Sequence, residues 1–167
     1  MLVRLYAVSL FMDSFKPVIE EIEKRLKSVS DEKLQKALKE LIPIFEDLDR
    51  RQIATESVAD QLKTLKNLLT SELQLKQVVR LKSDLLGVLR RQYGLVTPKY
   101  YQTLWMILGM TIFGVPFGMI FSFAIDNMAF LGLGFGFGMP IGMAIGMAKD
   151  KKALEDGLVI NGVQQSI

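Results

Sequence analysis

The chain contains no histidine and no cysteine. Without histidine it lacks the side chain that most often serves as a general base near neutral pH. Without cysteine it cannot form a disulfide, present a thiol nucleophile or build a zinc site from thiolates. These absences argue against an enzyme, and we expect no cofactor and no metal ion. Scattered carboxylates such as Glu20, Glu23, Asp47 and Asp49 are predicted to lie on a solvated helix face.

Charged residues are also missing from most of the C-terminal third. No Asp, Glu, Lys or Arg lies between Lys99 and Asp126, and none lies between Asp126 and Lys149. Half of all residues are hydrophobic and 23% are charged, but the two kinds are segregated along the chain. Because a soluble domain mixes the two kinds, this separation predicts a water-facing domain followed by a lipid-facing one.

The residues before Lys99 carry apolar side chains at helical spacing, and strand-like alternation is absent. The apolar stretch from Leu2 to Met12 is too short to span a bilayer, so we expect it to begin a soluble helix. The expected core faces are Phe15, Val18, Ile19, Ile22 and Leu26; Leu34, Leu38, Leu41, Ile42, Phe45 and Leu48; Leu62, Leu65, Leu69 and Leu73; and Val78, Val79, Leu81, Leu85, Leu86 and Leu89. Residues 1–98 are therefore predicted to form a helical, coiled-coil-like bundle in the cytoplasm.

Local signals place the ends of these helices. Ser30 is predicted to cap the second helix, and Pro43 is predicted to break it near Ile42. Gly94 and Pro98 are expected to end the last helix of the bundle. The stretch at residues 70–71 either starts a fourth helix or lies within a continuous third one.

Two uncharged runs predict a transmembrane hairpin within residues 99–149. The runs cover about residues 100–125 and 127–148, and each is long enough to cross a hydrocarbon core of roughly 30 Å. Only Asp126 and Asn127 separate them, which favours a tight turn between antiparallel neighbours. The predicted fold class is therefore all-α, with a helical bundle followed by a glycine-rich transmembrane hairpin and a cytoplasmic tail at 150–167.

Basic and aromatic residues mark the ends of both runs on one side. These membrane-interface candidates are Arg90, Arg91, Lys99, Tyr100, Tyr101, Trp105, Lys149, Lys151 and Lys152. The turn carries only an acid, so the positive-inside rule places both termini in the cytoplasm. The basic stretch that precedes the first run could also bind nucleic acid. Its position directly before a predicted span favours the membrane interpretation, so we expect no nucleic-acid partner.

Small residues recur every four positions in both runs. The first run contains Gly114, Gly118 and Ser122, and the second contains one row of Gly134, Gly138, Gly142 and Gly146 and another of Gly132, Gly136, Pro140, Ala144 and Ala148. Such rows let a neighbouring backbone approach closely. One row can serve the partner span, which leaves the other for a second copy of the chain. We therefore expect a homo-oligomer in the bilayer, with a lone hairpin as the alternative.

Two functions remain open from the residues. The first is a channel or pore, or a membrane-perturbing effector, in which Asp126 from each copy forms a carboxylate ring that favours cations at the pore mouth. The second is a non-conducting membrane anchor or scaffold whose bundle binds an unidentified cytoplasmic protein. Asp126 also suits a turn without any further role. The scarcity of polar residues in the spans counts against a hydrated pore.

The stretch from Leu131 to Gly157 contains a GxGxGxG run, then PIGMAIGMA, then DKKALEDG. In this it resembles uncharacterised bacterial glycine-zipper membrane proteins that end a glycine-rich hairpin in a short charged tail. The resemblance implies a bacterial inner membrane and assigns no activity. The Gly-Met-Asn motif of CorA-type magnesium channels is missing, because the corresponding stretch reads Ala-Ile-Asp-Asn-Met. The acidic loop of calcium uniporter pores is missing too, because Asp126 has no glutamate partner.

Overall fold

The computed structural model describes residues 14–128 and 131–163, so the expectation for Leu2 to Met12 lies outside the described residues. Apart from one isolated bridge, the regular structure in these ranges is helical, which confirms the all-α class. The chain divides into two compact units. Of the described residues, the bundle contains those up to Leu95 together with a segment that begins at Ile160, and the hairpin contains residues 96–128 and 131–159.

Five α-helices and a 3₁₀ turn are described in the bundle. They are α1 (Lys16–Ser28), α2 (Glu32–Lys39), α3 (Ile42–Arg50), the 3₁₀ turn (Thr55–Val58), α4 (Ala59–Thr70) and α5 (Leu75–Tyr93). The predicted break near Ile42 is confirmed, since α3 begins there with Pro43 in its first turn. The predicted stop at Gly94 is confirmed as well, since this glycine takes the left-handed conformation (φ 69°) at the end of α5. The cap of α2 is Asp31 and not Ser30, because the Asp31 carboxylate accepts the first free N–H groups of that helix.

The predicted apolar faces form the core of the bundle. The largest fully buried side chains are Phe15, Phe45, Ile22, Leu38, Leu41, Ile44, Leu48, Leu65, Leu85, Leu89, Ile160 and Val58. The rings of Phe15 and Phe45 stack with their centroids 5.7 Å apart, which joins α3 to the residue that precedes α1. Val79 is an exception to the predicted faces, because its side chain is 52% exposed on α5.

Two carboxylates of α3 are structural and do not belong to a solvated face. Asp47 is only 1% exposed. Its carboxylate accepts a hydrogen bond from Arg51 Nε at 2.6 Å and another from Asn161 Nδ2 at 3.2 Å. Asp49 accepts the backbone N–H of Phe15 at 2.9 Å. The solvated-face interpretation of Asp47 is therefore wrong, because a cation and an amide replace water around the buried charge.

The hairpin contains two long helical runs. The first is made of α6 (Tyr100–Gly109), a π turn (Met110–Gly114) and α7 (Val115–Ile125), and the second is α8 (Leu131–Glu155). The runs have 26 and 25 residues, and both are long and apolar enough to cross a membrane. The first run has the predicted bounds. The second begins at Leu131, continues through Pro140 and ends at Glu155, so it extends into the stretch predicted as a tail.

The chain leaves α8 through a tight glycine-dependent cap. Gly157 takes the left-handed conformation (φ 69°), and the Leu158 N–H donates to the carbonyl of Ala153 at 2.8 Å. This is the pattern of a Schellman motif, which satisfies the last carbonyl groups of the helix. Just beyond it, Val96 and Val159 form a parallel bridge, with the Val96 N–H donating to the carbonyl of Leu158 at 2.9 Å. The two ends of the hairpin are thus tied side by side.

Candidate functional site

The buried row of glycines on α8 is the contact surface between the two long runs. Gly134, Gly138, Gly142 and Gly146 are all buried. A methyl group built on Gly138 would lie 2.6 Å from both the carbonyl oxygen of Gly109 and the amide nitrogen of Gly114. Both neighbours are backbone atoms, which cannot rotate away as a flexible side chain does. The two backbones are therefore in direct contact, and no other residue fits at this position without separating them.

The first run meets this row with Gly109, Gly114 and Gly118. Gly109 and Gly114 are five residues apart, a spacing that an α-helix would place on different faces. The π turn at Met110–Gly114 restores the alignment, since the Val115 N–H bonds to the carbonyl of Met110 across the wider turn. Pro116 follows at once in the first turn of α7, and the wider turn accommodates a residue that offers no N–H.

Gly109 was therefore missed by a search for residues at intervals of four. A methyl group on it would lie 2.7 Å from the Cα atom of Gly142. The signal that could have revealed it is the combination of a glycine five residues before Gly114 and a proline just after. Ser122, the last predicted member of the row, is buried at 3% exposure, and its hydroxyl has no hydrogen-bond partner within the described ranges.

The second row of small residues on α8 takes no part in this contact. Its members, Gly132, Gly136, Pro140, Ala144 and Ala148, are all exposed. A methyl group built on Gly132 or on Gly136 would meet no atom within 4 Å. The two rows thus differ sharply although their glycines are only two positions apart. One row is filled by the partner run, and the other lies open on the hairpin.

Asp126 is placed at the C-terminal cap of the first run. It takes the left-handed conformation with φ 52° and ψ 38°. Its N–H approaches the carbonyl of Phe123 at 3.4 Å, and the Asn127 N–H bonds to the carbonyl of Ser122 at 3.0 Å. This is again the Schellman pattern, with aspartate where glycine is usual. Aspartate is one of the few residues that tolerate this conformation, so the backbone geometry accounts for the residue.

At the other end of the hairpin, an acid of α8 caps α6. The Asp150 carboxylate accepts the N–H of Tyr101 at 2.9 Å and the N–H of Gln102 at 2.8 Å. These are two of the four donors that a helix start leaves without partners, and the negative charge suits the positive end of the helix dipole. Asp150 was not among the predicted residues, because the lysines around it mark this end of the hairpin as basic. A single acid among Lys149, Lys151 and Lys152 was the available signal.

The interface candidates that belong to the hairpin lie around this cap. Lys149 Nζ lies 5.5 Å from the centre of the Trp105 ring, within the range of a cation–π contact. The rings of Tyr100 and Tyr101 meet edge to face with their centroids 5.2 Å apart. The remaining basic candidates, Lys99, Lys151, Lys152 and, in the bundle, Arg90 and Arg91, are exposed. The candidates within the hairpin therefore provide cations and amphipathic rings at one of its ends.

Residues 14–128 and 131–163 contain no group of three or more Asp or Glu side chains that could hold a metal ion. The chain was also compared with known proteins, and no family model, curated protein or solved structure matches it. The resemblance of residues 131–157 to glycine-zipper membrane proteins therefore stays a prediction.

Proposed function

We propose that this chain is an integral membrane protein that assembles into a homo-oligomer through the second small-residue row of α8. The observation that carries the proposal is the open state of that row. Gly132 and Gly136 leave a groove that the hairpin itself does not fill. In lipid, apolar side chains gain nothing by leaving the solvent, so a groove that admits a second backbone is the main source of helix association.

The bundle supports a topology in which both ends of the hairpin lie on one side of the membrane. Leu95, just before the hairpin, and Ile160, just after it, are both buried in the core of the bundle. A single compact unit cannot be built from residues on opposite sides of a bilayer. Lys99 and Lys149 flank the two runs on that side, so the positive-inside rule places it in the cytoplasm. A bacterial inner membrane is the location that the sequence resemblance implies.

The surface chemistry of the hairpin favours a non-conducting scaffold over a pore. Large apolar side chains cover much of the described outer surface of the runs, among them Ile107, Ile112, Phe117, Ile120, Phe123 and Phe137. The Thr111 hydroxyl bonds to the carbonyl of Ile107, and Ser122 is buried. Neither offers a polar lining to a water-filled path. In this proposal the hairpin anchors and clusters the chain, and the bundle is the module that binds a cytoplasmic partner.

Cysteine cross-linking tests the proposed interface, because the natural chain has no cysteine. Gly136→Cys and, as a matched control, Ile141→Cys would be reconstituted separately in liposomes and oxidised. Ile141 is also exposed, at 40%, but lies outside the second row. We expect a disulfide-linked dimer from Gly136→Cys and little from Ile141→Cys. Equal cross-linking of both variants, or none of either, would contradict the proposed interface.

Ion flux from the same liposomes separates the scaffold from the pore. The scaffold predicts that potassium release with the wild-type protein equals that from protein-free liposomes. Release that is fast and that Asp126→Asn reduces would overturn the scaffold in favour of a cation pore, since neutralising a ring of carboxylates weakens cation selectivity.

A further inference from the structure

The core of the bundle is completed by a segment that lies after the hairpin in sequence. Ile160 is fully buried and Val163 is 5% exposed, and both belong to the hydrophobic cluster formed by α1–α5. The bundle therefore draws its core from both sides of the hairpin. We call the segment Ile160–Val163 the clamp.

Two specific contacts fix the clamp on α3. The Asn161 side-chain amide donates to the buried carboxylate of Asp47 at 3.2 Å. Gly162 takes the left-handed conformation (φ 77°), and a methyl group built on it would lie 2.9 Å from Cβ of Pro43. The clamp is thus held by the burial of its apolar side chains, by a hydrogen bond to Asp47 and by the close contact between Gly162 and Pro43. If it left the bundle, Ile160 and Val163 would become exposed to water, and Asp47 would lose one of its donors.

The clamp begins directly after the bridge that ties the hairpin ends together. Val96 and Val159 are the bridged residues, and Leu95 and Ile160 are their neighbours on the bundle side. A closed hairpin therefore delivers the clamp to the bundle at a high effective concentration. An opened hairpin would leave the clamp on a long loop, and the entropy of closing a loop opposes its return.

From this arrangement we infer that the clamp completes the bundle only while the hairpin is closed, so that the fold of the bundle responds to the packing of the hairpin. Separation of the two apolar runs would in this way expose the hydrophobic core of the bundle to water. It depends on chain connectivity and on the Val96–Val159 bridge, and it holds whether or not the chain oligomerises.

The first arm of the test establishes the clamp. Amide hydrogen exchange of α3 would be measured on the full chain in nanodiscs. Ile160→Ala removes buried side-chain atoms, whereas Leu154→Ala makes a similar truncation at a side chain that is 64% exposed. We expect exchange of α3 amides to rise on the order of 30-fold or more in Ile160→Ala and to stay unchanged in Leu154→Ala. Unchanged exchange in Ile160→Ala would overturn the proposal.

The second arm tests the coupling to the hairpin. Gly138→Leu forces the two runs apart, while Gly136→Leu places the same side chain on the open face. We expect α3 exchange to rise several-fold in Gly138→Leu and to remain at the wild-type rate in Gly136→Leu. Since Gly136→Leu is the change that should weaken oligomerisation, failure of the proposed function and failure of the clamp are distinguishable. Wild-type exchange in Gly138→Leu would overturn the coupling.

A rescue arm excludes general misfolding as the cause. Val96→Cys with Val159→Cys, added to the Gly138→Leu chain, places two cysteines at bridged positions, where the Cα separation suits a disulfide. Oxidation would hold the hairpin ends together although the runs are pushed apart. We expect oxidation to return α3 exchange to the wild-type rate and reduction to raise it again. Exchange that stays high in the oxidised protein would overturn the proposal, because end separation would not then be the cause.

Discussion

Replacing glycine by alanine in the two rows of α8 should have opposite effects on the stability of the hairpin. Gly138→Ala and Gly136→Ala change the same helix by the same atom, two positions apart. Both gain helix propensity, by up to about 1 kcal/mol on a scale measured in water. This gain cancels when the two variants are compared as monomers, so the difference between them isolates the contact within the hairpin.

The free-energy cost of the added methyl group follows from the geometry at Gly138. The added methyl would lie 2.6 Å from the carbonyl oxygen of Gly109, whereas the methyl at Gly136 would meet nothing within 4 Å. An ordinary contact between such atoms is about 3.5 Å, so the runs must separate by about 1 Å at this point. Overpacking of this kind typically costs about 1–3 kcal/mol. We therefore expect Gly138→Ala to be less stable than Gly136→Ala by about 2 kcal/mol, roughly a 30-fold difference in the equilibrium constant.

The assay uses the one tryptophan of the chain. Trp105 lies in α6, its carbonyl carbon would be 2.8 Å from a methyl on Gly142, and Lys149 lies over its ring. Its fluorescence should therefore change when the runs separate. The protein would be diluted in mild detergent until it is monomeric, so that the second row contacts no other copy. It would then be titrated with SDS, and the midpoints of the two variants would be compared with that of the wild type. Equal midpoints, or a lower midpoint for Gly136→Ala, would refute the assignment of the two rows.

Three further changes test other parts of the structure with the same or a related readout. Asp150→Ala removes the acceptor for two N–H groups of α6, so it should lower hairpin stability by about 1 kcal/mol in the SDS titration. An unchanged midpoint would contradict the cap. Asp126→Gly should stabilise the hairpin by about 1 kcal/mol, because glycine takes the left-handed conformation without strain. A loss of stability would contradict the turn geometry. Arg51→Ala removes the closer of the two cations beside the buried Asp47 carboxylate and leaves only the exposed Arg50, at 3.6 Å. It should destabilise the bundle by about 2 kcal/mol in a denaturant titration monitored by circular dichroism, because a hydrogen bond to a buried charge is lost. A change under about 0.5 kcal/mol would contradict a stabilising role for this ion pair.

Much of the fold could be predicted from the spacing of apolar and small residues along the chain. The apolar faces of α1–α5 and the bounds of the first run follow from residue spacing and from the positions of Pro43 and Gly94, all of which act locally along the chain. The buried row of α8 also follows from spacing. Which of the two rows would be buried did not follow from it, because both rows have the same local pattern.

The features that sequence analysis missed depend on contacts between distant segments. Asp150 caps a helix that begins about 50 residues earlier, so the single acid among three lysines marks an unusual position but does not identify the helix that it caps. Ile160 ends a short apolar triplet, Leu158 to Ile160, which carries no helical or strand periodicity, and its role is evident only when the chain returns to the bundle. Gly109 was missed for a different reason, since a single π turn changes the helical spacing and moves it into the row.

The mass of the wild-type protein in lipid nanodiscs tests the central claim most directly. Native mass spectrometry would count the copies of the chain, with Gly136→Leu measured in parallel. The account predicts a discrete wild-type oligomer and a shift to a smaller species in Gly136→Leu. A wild-type protein that is monomeric across the accessible concentration range, or an oligomer that Gly136→Leu leaves intact, would contradict it.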